Sequence, residues 1–87
     1  MYYVYILLGR RDKKPYIGCT NDLRKRLILH NKGKVESTKS RKPLILIYYE
    51  AYLNKFDAFN REKWLKTGWG RNYIKLVLKY TLKDLQC

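Results

Sequence analysis

Arg26, His30 and Glu62 are polar residues whose spacing sets them where an ordinary amphipathic helix would carry apolar ones. With Leu23 as the reference direction and a turn of about 100° per residue, Leu27 and His30 fall within about 40° of it and Arg26 about 60° away. Arg26 and His30 are then i, i+4 neighbours along the edge of an inward face. On a later helical stretch centred on Ala58, Glu62 and Leu65 share one side, so a carboxylate is directed inward as well. Charges turned inward raise the free energy unless they are paired or bind something. An Arg, a His and a Glu converging from two helices therefore define a polar site that could hold and polarise a charged ligand. Two other readings stay open: Arg26 and Glu62 could pair with each other, and His30 could sit against the negative end of its helix dipole.

Three apolar segments and three helical ones must position these groups. Tyr2 to Leu8 is almost wholly apolar and rich in aromatic and branched side chains, as expected of a strand covered on both faces. A polar turn, Gly9 to Pro15, leads to Tyr16-Ile17-Gly18 and predicts a hairpin. Asn21 is the expected N-cap of a first helix, with Asp22 favoured at the positive end of its dipole and the helix ending between Asn31 and Gly33. Leu44 to Tyr49 predicts a third strand, again covered on both faces. Asn54 and Asp57 resemble a capping box for a second helix that Gly68 should close. Apolar residues at Ile74, Val77, Leu78 and Leu82 predict one C-terminal helix. The fold class expected is α/β: a small three-stranded, mainly antiparallel sheet flanked by helices, in a single domain over residues 1–87.

Charge narrows the partner. The chain of 87 residues carries 20 Lys plus Arg against 7 Asp plus Glu, a formal net charge of +13. Such a field concentrates polyanions, DNA first and RNA as the alternative, although an acidic membrane surface would be drawn to the same charge. Arg10, Arg11, Lys13 and Lys14 in the hairpin turn, with Lys39, Arg41 and Lys42 in the basic loop, are the expected phosphate contacts. No apolar run approaches the ~20 residues that span a bilayer, and no charged segment leads into a signal-type stretch, so no membrane association and a cytoplasmic location are expected. Cys19 and Cys87 lie in no metal-ligand spacing, which predicts free thiols and argues against zinc.

Tyr3-Val4-Tyr5 and Tyr16-Ile17-Gly18, followed by Arg26 and His30 in one helix and Glu62 in a later one, resemble the signature of the GIY-YIG nuclease superfamily, specifically its small stand-alone bacterial members. The second half of the signature is intact. The first departs from it, with Tyr3 for Gly and Val4 for Ile, while its tyrosine is kept as Tyr5. The resemblance runs from Tyr2 to about Asn72 and includes Ser37-Thr38, Pro43-Leu44 and Arg61-Glu62-Lys63.

The resemblance implies a metal-dependent endonuclease that hydrolyses phosphodiester bonds of DNA, in a superfamily that serves DNA repair among other roles. It implies a divalent cation, Mg²⁺ or Mn²⁺, held by Glu62 with water and phosphate oxygens completing the shell. Arg26 would contact the phosphate and stabilise transition-state charge. Tyr5, assisted by Tyr16, would orient or deprotonate the attacking water, and His30 would relay or accept a proton. A free tyrosine has a pKa near ~10, so service as a base calls for nearby positive charge. Gly18 is expected to let a helix or a phosphate approach the strand. The short chain leaves no room for an appended specificity domain, which predicts structure-specific cutting or a protein partner that supplies specificity. The alternative function is a catalytically silent binding module that stacks unpaired bases on Tyr48, Tyr49, Tyr52, Trp69 or Tyr73.

Overall fold

The computed structural model describes residues 1–86; Cys87, expected to be a free thiol, lies outside the described residues. Strands β1 (Tyr2–Gly9), β2 (Pro15–Thr20) and β3 (Leu44–Tyr52) alternate with helices α1 (Leu23–Asn31), α2 (Lys55–Leu65), α3 (Gly68–Val77) and α4 (Lys79–Gln86) in the order β-β-α-β-α-α-α. The sheet runs β2-β1-β3 and both pairings are antiparallel, so the expected α/β class holds.

The central place of β1 explains its sequence. Side chains alternate across a strand, and both of its faces are covered. Val4 and Ile6 pack with Ala58, Leu65, Ile74 and Leu78 of the α2–α3 layer. Tyr5 and Leu7 turn the other way and pack with Leu44, Tyr16, Leu23 and Leu27 on the α1 side. The third strand departs from expectation twice. It runs three residues past Tyr49, and it is an edge strand, half-buried along most of its length rather than covered on both faces. Glu50 can lie inside this extension because Arg61 of α2 grips it with two bonds, Nε to Oε1 at 2.9 Å and Nη2 to Oε2 at 3.1 Å. Tyr48 and Tyr52 donate their hydroxyls to the same carboxylate at 2.6 Å each. Burial alone would raise the Glu50 pKa, but the bonds from Arg61, Tyr48 and Tyr52 bring it below the usual carboxylate range.

The helix ends also correct the sequence reading in detail. Asp22, not Asn21, caps α1, its side chain accepting from Lys25 N at 3.0 Å. The stop near Gly33 is as expected, with Gly33 at φ 73° while its N–H reaches His30 O at 3.1 Å. Gly68 does not close α2. It opens α3, whose cap is Thr67, accepting from Gly70 N at 3.2 Å. A Cβ on Gly70 would strike the backbone of Trp64 and Leu65, so the small residue is what lets α3 start against the end of α2. The single C-terminal helix expected is divided at Leu78, whose φ of −109° and ψ of 22° leave the helical region.

The basic loop of residues 32–43 is anchored rather than free. Arg41 donates from Nε to Asp12 Oδ2 and from Nη2 to Lys14 O, both at 2.7 Å, clipping the loop to the hairpin turn. The Asn31 side chain exchanges two bonds with the backbone of Leu44. Val35 and Thr38 of this loop are buried.

Candidate active site

Tyr5 is the centre of the site. It projects from the middle of β1 toward α1 and is 1% exposed. Its cross-strand neighbour on β2 is Gly18. A Cβ on Gly18 would fall on the Tyr5 hydroxyl and the ring carbons next to it, so the space that glycine leaves open is taken by Tyr5 itself. This refines the expectation that the gap admits a helix or a phosphate.

From Tyr5 a hydrogen-bonded chain runs into α1 and the loop. Tyr5 Oη lies 2.9 Å from His30 Nε2, and His30 Nδ1 lies 2.6 Å from Thr38 Oγ1. His30 and Thr38 are both fully buried. Burial first, and the Arg26 charge second, hold the His30 pKa below its ordinary value of 6.5, so the imidazole is neutral at pH 7. A cation resting against the helix dipole is thereby excluded: His30 is engaged through both ring nitrogens by side chains. Tyr16 closes the cluster, its ring 5.1 Å from that of His30 and its hydroxyl accepting from Ser37 Oγ at 3.4 Å.

Arg26 stands at the mouth of this cluster, half-buried. Hydrogen bonding to Tyr5, against the opposing effect of its own partial burial, keeps its pKa raised, and Tyr16 adds to this. Tyr5 responds in the opposite sense to the expectation of a phenolate. Burial raises its pKa and outweighs the lowering by Arg26, while Tyr16 and Glu62 raise it further. The resting form is a neutral phenol.

Glu62 lies near enough to act on the charge of both Tyr5 and Cys19. It does not pair with Arg26. Lys66, one turn on, donates to Glu62 Oε2 at 3.0 Å, with the carboxylate side chain 21% exposed and the ammonium side chain 55% exposed. Among the described residues there is no cluster of three or more His, Cys, Asp or Glu that could cage a metal. A lone, partly exposed carboxylate suits a cation that keeps most of its water, as Mg²⁺ does, and does not suit zinc.

The seven expected phosphate contacts separate into two groups. Arg10, Arg11, Lys14 and Lys42 are exposed, as is Lys13, whose Nζ donates to Leu85 O at 2.8 Å. Arg41 is committed to Asp12, and Lys39 pairs with Glu36 at 3.2 Å on an exposed turn. Among the expected stacking residues, Tyr48 and Tyr52 are spent on Glu50, and Tyr73 packs on Trp64 with the Arg61 guanidinium 4.8 Å from its ring. Tyr49 and Trp69 are exposed. Sequence reasoning gave no role to Thr38, Ser37 or Lys66. Only a hydroxyl placed within reach of an inward His would have marked Thr38, and no periodicity runs through its loop.

The sheet, the tyrosine pair, the Arg and His on α1 and the Glu on α2 define a nuclease-type domain. Residues 1–73 match the GIY-YIG catalytic domain, and the chain belongs to the GIY-YIG family. It is similar to a UPF0213 protein of Clostridium perfringens, 36% identical over 97% of this chain and 90% of the relative. A UPF0213 protein of Bacillus pumilus is 42% identical over 90% of this chain and 79% of the relative. One from Staphylococcus haemolyticus is 35% identical, covering 87% and 93% respectively. No solved structure matches the chain. No helix among the described residues is long and apolar enough to cross a membrane.

The state of His30 carries a prediction. Its folded pKa is below its unfolded value near 6.5. Above that value both states are neutral. As pH falls through it the unfolded chain takes up a proton that the folded protein refuses, so stability drops until the lower folded pKa is reached. Asp12 and Glu50 are depressed carboxylates and act only below their ordinary values of 3.8 and 4.5. Urea unfolding midpoints should therefore decline on acidification from about pH 6.5. In His30→Gln that part of the decline should be missing, and an unchanged decline would assign it to other groups.

Proposed function

We propose that this protein is a divalent-metal-dependent endonuclease that hydrolyses phosphodiester bonds of DNA, with selectivity set by DNA structure or by a partner protein. The observation that carries the reading is the buried chain Tyr5–His30–Thr38 opening onto Arg26. A buried polar chain that ends at the mouth of a cationic cleft is arranged to move a proton.

A neutral His30 with its proton on Nδ1 donates to Thr38 Oγ1 and leaves Nε2 free to accept the Tyr5 proton. The Tyr5 oxygen can then take a proton from water as its own passes to Nε2, so no standing phenolate is needed. The water oxygen bonds to phosphorus, the ester oxygen on the far side departs and takes a proton from solvent, and His30 hands its extra proton back to Tyr5 as Tyr5 releases one to solvent. Arg26 faces the charge that accumulates on the phosphoryl oxygens in the transition state. Glu62 would hold the divalent cation, which when bound neutralises phosphate charge and stabilises the leaving oxygen.

A binding module without catalysis is favoured by one observation, the Lys66 ammonium that already occupies a Glu62 oxygen. Purified protein incubated with branched, nicked, single-stranded and duplex DNA, with Mg²⁺, Mn²⁺ or chelator, separates the two. Chelator-sensitive cleavage is expected. Salt-sensitive binding without products in any metal would favour the module.

A further inference from the structure

We infer that Phe56 and Phe59 form a stacking platform for an unpaired nucleobase beside the scissile phosphate, so that the preferred substrate is DNA with a single-stranded segment at the cut. This rests on the nuclease reading and names its substrate class. The two rings stand on the outer side of α2, 64% and 41% exposed, edge to face with centroids 6.3 Å apart. The Lys55 ammonium lies 5.5 Å from the Phe56 ring. Phe59 and Lys55 also line, with Arg26, Cys19 and Thr20, a cleft of about 550 Å³ at the edge of β2. The platform is therefore continuous with the candidate active site through Arg26. No carboxylate lines this cleft.

Large exposed rings call for a partner, and the charges around them select which one. A second copy of a chain carrying +13 would bring Lys55 and Arg26 against like charge. A nucleic acid satisfies both features, since its phosphates meet the cations and its bases meet the rings. Stacked duplex bases present no free face, whereas unpaired ones do. A phosphate held at Arg26 thus sets a neighbouring unpaired base over Phe59.

The test is binding in chelator, so that nothing is cut, by anisotropy of labelled DNA. A forked duplex with a single-stranded arm is compared with a blunt duplex of equal length, the fork carrying a fluorescent adenine analogue at its first unpaired position. Phe56→Ala/Phe59→Ala should weaken fork binding about tenfold or more, spare duplex binding and abolish quenching of the analogue. Phe56→Trp/Phe59→Trp should retain both. Equal losses on the two DNAs, no loss on either, or a wild-type dimer that the alanine pair turns into a monomer would each overturn the inference. Wild-type incubation with Mg²⁺ on the same fork separates the two ideas. Absence of cleavage with the binding difference intact defeats the nuclease reading alone, and cleavage without that difference defeats the platform alone.

Discussion

A Glu62→Gln protein should fold, bind DNA as tightly as the parent and fail to cleave it at any Mg²⁺ concentration. The substitution keeps size and an acceptor oxygen while removing the one charge in the site suited to holding a hard cation. Folding should survive because the partner lost is Lys66, an exposed ammonium at the C-cap of α2, and such i, i+4 pairs contribute only about 0.3–0.5 kcal/mol. The partly buried ion pair that ties α2 to β3 is the neighbouring Arg61–Glu50, which the substitution leaves alone. Lys66→Met should act in the opposite direction. With the competing ammonium gone, the Mg²⁺ concentration for half-maximal cleavage should fall by about two- to fivefold, the scale of an exposed pair. Cleavage titrated with Mg²⁺ for the three proteins, beside anisotropy in chelator, reads all of this. Normal cleavage by Glu62→Gln would remove Glu62 from metal binding, and unfolding would make it a structural residue after all.

What could be read in the sequence was what periodicity encodes. Seven consecutive apolar residues from Tyr2 to Leu8 marked a strand covered on both faces, which β1 is, and the α1 stripe turned His30 and Arg26 toward the sheet. The order of Tyr5, Tyr16, Arg26, His30 and Glu62 carried the family resemblance, and the fold gathers Tyr5, Tyr16, Arg26 and His30 into one cluster. Pairings between distant polar groups were beyond it. Glu50 reads as the polar end of a strand until Arg61 is seen gripping it from another element, which is why β3 looked three residues shorter. Arg41 reads as one more solvated cation in a basic loop, yet its partners lie across the hairpin at Asp12 and Lys14. The break between α3 and α4 has no breaker residue, because Ile74, Val77, Leu78 and Leu82 suit an unbroken helix equally well. The protonation state of Tyr5 was beyond it too. Composition weighs the many cations, but burial decides the balance.

Gly18→Ala should be among the most damaging single-atom changes available in this chain. The added methyl would land on the Tyr5 hydroxyl and ring, and that ring cannot swing away. Tyr5 is 1% exposed, with the rings of Tyr16 and His30 beside it. Either β2 moves outward or Tyr5 leaves the 2.9 Å contact with His30 Nε2. Overpacking of this kind costs about 1–3 kcal/mol of stability. The catalytic loss should be greater, on the order of a hundredfold, because the displaced hydroxyl heads the proposed proton path. A double-mutant cycle with Tyr5→Phe identifies the cause. Phe lacks the oxygen that the methyl meets first, so Gly18→Ala should cost less stability in the Tyr5→Phe background than in the parent. Its effect on cleavage there should nearly vanish, since the hydroxyl through which both changes act is already gone. If Gly18→Ala instead slows the Tyr5→Phe enzyme by as large a factor as it slows the parent, the methyl is obstructing the phosphate directly. Gly18 would then line the substrate path rather than seat the tyrosine.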